Sequence, residues 1–356
     1  MKPFLYYKLL TNFCKLDLCL AALFLCKKPF VTALSSFLKA NINASFAFSL
    51  SLASTNFSTA LTAVFKDDLK LAFNNLCFFD DNIKISKILV DKGLSKKIKR
   101  KEGIYFEIDI ENCDILDTDD SNKIEICLSK VIKNILDYEG IDVNKSKCLV
   151  LGLGNSNISP DSLGPKVIDN VIVTRHMFLL DPSNVSEGIS NVCAISPGVM
   201  GSTGIETFDI VKAIIEKVDI DFLIVIDALA SLDISKINKC IQLTNTGIHP
   251  GSGVGNKRKE LSFETLGKKV IAIGIPTVVD ALTITINTID KLLDKIQSDS
   301  LVMTKQEKDK FINDLLKEEG FNMFVTPKEV DIDLKNLSEI VSAAIDRALH
   351  PIIEGV

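Results

Sequence analysis

The sequence predicts an α/β fold: a mostly parallel sheet with helices on both faces. Short, almost wholly apolar runs alternate with segments of helical periodicity. Continuous Val, Ile and Leu runs bounded by Gly, Pro or Asp are typical of parallel strands that are buried on both faces. The runs that predict strands are 147–154, 221–229 and 268–276. The helical patterns lie at 163–174, 204–218 and 278–296. Strand–helix alternation of this kind indicates a layered α/β domain.

Two elements are predicted upstream of these runs. Residues 103–112 alternate apolar and polar side chains, which predicts a half-buried strand. Residues 122–140 place apolar side chains at helical spacing and end at Gly140. That pattern predicts an amphipathic helix that a glycine terminates.

The end of the chain predicts one more helix, at residues 326–350. Thr326 and Glu329 have the spacing of a capping box, with a proline in the first turn. Residues 297–320 are charged and poor in apolar side chains, so we expect a surface excursion there.

The beginning of the chain differs in composition from the rest. Gly93 is the first glycine and Glu102 is the first glutamate, whereas about 7% glycine is usual. We therefore expect an atypical apolar N-terminal extension at residues 1–83 and one domain at residues 84–356. A signal or anchor segment, a poorly packed helical extension and a reading-frame error are alternative interpretations of the extension. Residues 43–65 are long enough to cross a bilayer, but they are rich in Ser, Thr and Asn, so no membrane contact is expected.

Charge and cysteine content exclude several function classes. The formal net charge is −5, which leaves no basic footprint for nucleic acid. The nine cysteines are dispersed without a C-x-x-C pair, and the chain has only three histidines. This composition predicts reduced thiols in a cytoplasm and no structural zinc site. We expect no metal and no cofactor.

Polar side chains that could perform chemistry lie on the loops that follow the predicted strands. In open α/β sheets, ligands bind beyond the carboxyl ends of the strands. The residues that stand out on these loops are Asn155, Asp161, Asp227, His249 and Asp280.

Asp161 and Asp227 are the candidate catalytic residues. Asp227 follows a strongly apolar run, and a carboxylate there is costly to bury without a partner. Each has a structural alternative, because Pro-Asp-Ser is ordinary turn chemistry and Asp227 can cap a helix or form a turn. If the two groups meet at adjacent strand ends, one can hold a proton while the other activates water. The pair then predicts acid–base hydrolysis without a metal or a nucleophilic side chain.

The competing interpretation is an anion- or nucleotide-binding protein whose aspartates are structural. The loop 244–260 combines glycines with a basic cluster, which could hold an anion. Neither G-x-G-x-x-G nor G-x-x-x-x-G-K-[ST] occurs in the chain. A turn-rich loop with a solvated basic end explains the same residues.

The candidate site residues lie within a series of distinctive sequence blocks, six in number. They are GLGNSNISPDSLGPKV (152–167), SPGVMGSTGIET (196–207), FLIVIDALAS (222–231), TNTGIHPGSGVGNKRKELSFETLG (244–267), VIAIGIPTVVDA (270–281) and FVTPKEVD (324–331). In their order along the chain they resemble the signature blocks of the spore germination proteases. That family comprises endopeptidases that digest small acid-soluble spore proteins when a spore germinates.

The resemblance implies an aspartic-type endopeptidase with Asp161 and Asp227 as its catalytic pair. From their places on the loops at the strand ends, Asn155, His249 and Asp280 are the expected supporting residues. It implies an inactive precursor, a homotetramer, and no metal or cofactor. The implied location is the cytoplasm of the spore core, with DNA contacted only through the substrate and no membrane contact. The first block also resembles hydrogenase-maturation endopeptidases, which implies their fold and leaves a metal-assisted variant open.

The resemblance also implies that the precursor removes a short N-terminal propeptide from itself. Asp17 and Leu18, within KLDLCLAA (15–22), are the residues that resemble the processing point of the family.

Overall fold

The computed structural model of the protein describes residues 76–79, 81–251, 258–296, 312 and 323–355. Nearly all of the predicted extension, including Asp17 and Leu18, lies outside these residues. The predicted surface excursion also lies outside them, apart from Ile312, whose side chain is buried.

The described elements follow the predicted alternation of strands and helices. The strands are β1 (Leu76–Phe78), β2 (Lys84–Val90), β3 (Gly103–Asp109), β4 (Lys147–Gly152), β5 (Asn191–Ile195), β6 (Phe222–Ser231), β7 (Cys240–Thr244), β8 (Lys269–Asp280) and β9 (Phe324–Val325). The helices are α1 (Lys92–Ile98), α2 (Thr118–Tyr138), α3 (Leu163–Asn170), α4 (Arg175–Leu180), α5 (Met200–Thr203), α6 (Thr207–Val218), α7 (Phe263–Leu266), α8 (Ala281–Ile296) and α9 (Val330–Leu349). In these ranges no helix is long and apolar enough to cross a bilayer.

The described strands form one mixed sheet in the order β1-β2-β3-β7-β8-β6-β4-β5, and β9 pairs with the end of β8. Strands β5, β4, β6 and β8 are parallel, as the apolar runs predict. Strands β1, β2, β3 and β7 extend the sheet with antiparallel pairings. The α/β class is confirmed, but the sheet is mixed rather than mostly parallel. Its antiparallel half includes the alternating segment at 103–112, and alternation is typical of antiparallel strands.

Both faces of the parallel strands are covered by helices, as predicted. Along β6, Phe222, Ile224 and Ile226 pack toward α2, α3 and α9. The intervening Leu223 and Val225 pack toward α6. Because successive strand residues face opposite sides, a strand covered twice must be apolar at every position. Burying each such side chain contributes about 1.5–3 kcal/mol.

Two helices begin at other residues than predicted, because their N-cap residues differ from those that the sequence pattern indicates. Helix α2 begins four residues earlier than expected, because the Asp117 carboxylate accepts hydrogen bonds from the N–H groups of Asp119 and Asp120. The predicted capping box at Thr326 is wrong. The N-cap of α9 is Glu329, and the Thr326 hydroxyl instead donates to the carbonyl of Thr277 on β8 at 2.8 Å.

Candidate active site

A cavity of about 420 Å³ opens beyond the carboxyl ends of β4, β6 and β8. Asp161 and Asp227 both line it, together with the rim residue His249. The other lining residues come from six segments of the chain: Leu153, Gly154, Ile158, Pro160, Gly198, Val199, Thr207, Ala228, Leu229, Ala230, Pro250, Gly251, Arg258, Thr277, Val278, Phe324 and Thr326. The loops that the sequence singled out therefore meet in one concave site.

Asp161 is held by the loop between β4 and α3. The residue ends a 3-10 turn, Ser159–Asp161, and its carbonyl accepts a hydrogen bond from the Asn155 N–H at 2.9 Å. Gly154 makes this closure possible. A Cβ at Gly154, where φ is +116°, would lie 2.0 Å from the Asp161 carbonyl oxygen. The loop backbone is thus closed tightly at the residue that carries the carboxylate.

Asp227 lies on β6 itself, one residue beyond the end of its pairing with β4. It is 6% exposed. Its backbone is opposite Gly274 of β8. By strand alternation its side chain shares the α6 face of the sheet with Leu223 and Val225. This position places a buried carboxyl group in the lining of the cavity.

The environment favours the neutral form of Asp227. The pKa of Asp227 is raised to about 8. Burial is the larger cause, and the negative charge of Asp161 is the second. Burial also raises the pKa of Asp161 above its ordinary value, while the Asn155 N–H opposes that rise. The positive charge of Arg258 lowers the pKa of both groups, but less than burial raises it. Asp227 can therefore hold its proton near neutral pH in the same cavity as Asp161.

The remaining predicted residues occupy three different positions. Asn155 contributes its backbone N–H to the Asp161 loop. His249 lies on the cavity rim with its side chain 57% exposed, and its Nε2 is 3.5 Å from a carboxylate oxygen of Glu260. Asp280 is not among the lining residues. Its carboxylate accepts a hydrogen bond from the Leu282 N–H at 2.9 Å, at the start of α8.

Arg258 and Thr277 are two of the lining residues that the sequence does not predict as site residues. In the sequence Arg258 stands out only as part of a basic cluster, and the glycine-rich stretch before it, 252–257, lies outside the described residues. Thr277 is 1% exposed and donates to the Pro160 carbonyl at 2.7 Å. A lone threonine in an apolar strand carries no signal in the sequence. Only the neighbouring loop reveals its contact.

A second cavity, of about 280 Å³, lies over β3, β7 and β8 and shares Leu229 and His249 with the first.

Among the described residues, no three His, Cys, Asp or Glu side chains come together as potential metal ligands.

The chain matches a family model described as germination protease, over residues 78–301 and 300–355. The germination protease of Bacillus mycoides strain KBAB4 is 40% identical over 312 residues, which cover 76% of this chain and 85% of that protein. The germination protease of Bacillus anthracis strain CDC 684 matches with the same identity and covers 84% of its own length.

A solved structure of the [NiFe] hydrogenase maturation protease HycI from Thermococcus kodakarensis KOD1 also matches. It is 13% identical, with a TM-score of 0.28, and the match covers 60% of this chain and 98% of that one. A TM-score this low does not establish a common fold.

Proposed function

The chain belongs to the germination protease family and is therefore a peptidase, and we propose that it is an aspartic-type endopeptidase that starts the degradation of small acid-soluble spore proteins during spore germination. We propose residues 84–356 as its catalytic domain. Asp161 and Asp227 are the proposed catalytic residues.

One observation carries the mechanism: two carboxyl groups from separate segments line one cavity and differ in their environments. Asp227 is almost fully buried and its pKa is raised to about 8, so it holds a proton at pH 7. Asp161 lies nearer the solvent on a loop. Two titratable groups whose environments separate their proton affinities can divide the roles of acid and base.

In the proposed reaction, the Asp161 carboxylate removes a proton from a water molecule. The water oxygen attacks the carbonyl carbon of the scissile amide, and the proton of Asp227 passes to the carbonyl oxygen. The tetrahedral intermediate then collapses as Asp161 gives its proton to the leaving nitrogen and Asp227 recovers one from the hydroxyl group. The C–N bond breaks, and both carboxyl groups return to their starting states. General acid–base steps of this kind each contribute about 10²–10⁴-fold to a rate.

The supporting residues have separate proposed roles. Asn155 positions Asp161 through its backbone N–H, which donates to the Asp161 carbonyl at 2.9 Å. His249 is proposed to contact the substrate at the rim of the cavity, where its side chain is exposed. Asp280 is proposed to support the site indirectly, by fixing the start of α8 at the end of β8.

The family resemblance supports further proposals that concern the whole protein. We propose a homotetramer, made as an inactive precursor in the cytoplasm of the spore core and processed near Asp17 and Leu18. DNA is proposed to be contacted only through the bound substrate. Light scattering of the purified chain tests the tetramer, and N-terminal sequencing after incubation tests the processing point.

The experiment for the proposed function is an incubation of the purified chain with a purified small acid-soluble spore protein, with and without a chelator. We expect internal cleavage, detected by mass spectrometry, at the same rate in both. An unrelated soluble protein serves as the control substrate. Absence of cleavage by the processed chain would overturn the proposed substrate, and loss of cleavage with chelator would overturn the metal-free mechanism.

A further inference from the structure

The end of β8 contains a register shift beside the cavity. Leu229 of β6 is opposite Pro276 and Ala230 is opposite Val278, so Thr277 has no partner on β6. Such a bulge places an extra residue in one strand and redirects its side chain, and bulges are common beside active sites. The bulge therefore takes Thr277 out of the regular pairing between β8 and β6.

Thr277 reaches across to the loop that carries Asp161. Its Oγ1 donates a hydrogen bond of 2.7 Å to the Pro160 carbonyl. That carbonyl belongs to the peptide unit between Pro160 and Asp161, and the N–H at the other side of the same unit donates to the Ile158 carbonyl at 2.9 Å. Both polar groups of the peptide unit that precedes Asp161 are thus held.

A second threonine continues the contact outward. The Thr326 hydroxyl donates to the backbone carbonyl of Thr277 at 2.8 Å. Thr326 follows the two-residue strand β9, which pairs with the last residues of β8. The loop of Asp161 is therefore tied through Thr277 to two neighbouring strands.

We propose that Thr277 is a positioning residue, whose hydroxyl holds the loop of Asp161 so that this carboxylate faces Asp227 across the cavity. The inference rests on the proposed function, because it assigns a role within that catalytic pair. Misplacing a reacting group by about 1 Å can cost about 10²-fold in rate. A loop held at its peptide backbone avoids that loss.

The test compares Thr277→Val, which keeps the shape but removes the hydroxyl, with Thr277→Ser, which keeps the hydroxyl. We expect Thr277→Val to lower kcat by about 10–10²-fold with little change in KM, and Thr277→Ser to stay near the wild-type value. Thr285→Val is the matched control, because Thr285 also donates to a carbonyl, that of Ala281 at 2.9 Å, but lies on α8 outside the cavity. Equal kcat values for all three variants would overturn the proposal.

A second readout does not depend on cleavage. The charge of Asp161 helps to raise the pKa of Asp227, so releasing the loop should lower that pKa. NMR titration of protein labelled with ¹³C at its aspartates measures the pKa of Asp227 directly in wild type, Thr277→Val and Thr277→Ser. Arg258 and His249 are the other ionisable groups that line the cavity, and all three proteins contain them. We expect a lower pKa only in Thr277→Val. An unchanged pKa in that variant would overturn the proposal even if the wild-type chain cleaves no spore protein.

Discussion

The backbone carbonyl oxygen of Asp161 lies 2.0 Å from the point where a side chain at Gly154 would begin. The residues are seven apart in sequence and enclose the loop that presents Asp161 to the cavity. The contact is with backbone rather than with a flexible side chain, so relieving it requires a backbone shift at Gly154 or at Asp161.

We therefore expect Gly154→Ala to reduce activity strongly. The substitution displaces the Asp161 carbonyl and adds about 1–3 kcal/mol of backbone strain, so kcat should fall by about 10²-fold. Steady-state kinetics on the spore protein checks this. Gly140→Ala is the control, because Gly140 also has positive φ but has open space around it. It should lose about 1 kcal/mol of stability and keep its kcat. A fully active Gly154→Ala variant would contradict the tight loop.

Replacing Asp227 should make stability less sensitive to pH. Its folded-state pKa is raised from 3.8 to about 8, so the folded chain binds this proton more tightly than the unfolded chain. The associated stability is present at pH values below the unfolded pKa and is lost as the pH rises toward 8. Asp227→Asn cannot ionise, so its free energy of unfolding relative to wild type should increase between pH 5 and pH 8. Guanidinium titrations at several pH values measure this.

Asp346 does not affect the difference in stability between wild type and Asp227→Asn. Burial raises its pKa to about 7, but it titrates in both proteins and cancels in the difference. A stability difference that is constant from pH 5 to pH 8 would show that Asp227 is ionised in the folded wild type.

Removing the charge of Arg258 should move the alkaline limb of the activity profile upward. Activity requires a protonated Asp227, so kcat/KM should fall as the pH passes about 8. Arg258 lowers the pKa of Asp227, and Arg258→Gln should therefore raise the pH at which activity is lost. Lys259→Gln is the control, because the Lys259 ammonium lies 3.5 Å from Asp209 and is not among the residues that line the cavity. A downward shift in Arg258→Gln would contradict the assignment of the acid.

Asp280 should affect stability rather than the chemical step. Its carboxylate accepts from the Leu282 N–H at the start of α8, so Asp280→Ala should lose about 1 kcal/mol of stability. Asp280→Asn keeps an acceptor and should lose less. Thermal unfolding and kcat, measured on both variants, check this. A large fall in kcat for Asp280→Asn would give Asp280 a direct role in the site.

The parallel half of the fold and the meeting of the two carboxyl groups could be predicted from local patterns. A strand buried on both faces must be apolar throughout, so β4, β6 and β8 are visible as continuous runs. The ends of neighbouring parallel strands share one edge of the sheet, so Asp161 and Asp227 could be expected to line one site.

The other features depend on contacts between distant segments. The bulge at Thr277 appears only when β8 is aligned with β6. Thr326 has the local spacing of a capping residue, but its hydroxyl donates a hydrogen bond to the Thr277 carbonyl instead. A tertiary hydrogen bond thus replaced the local one, and sequence spacing alone cannot show which partner is preferred.

The most direct measurement is the cleavage rate of a purified small acid-soluble spore protein by wild type, Asp161→Asn and Asp227→Asn, with circular dichroism to confirm that each variant is folded. Both substitutions preserve side-chain size and remove the ability to exchange a proton. We expect each variant to lose about 10²–10⁴-fold in kcat. Cleavage at the wild-type rate by either folded variant would contradict it.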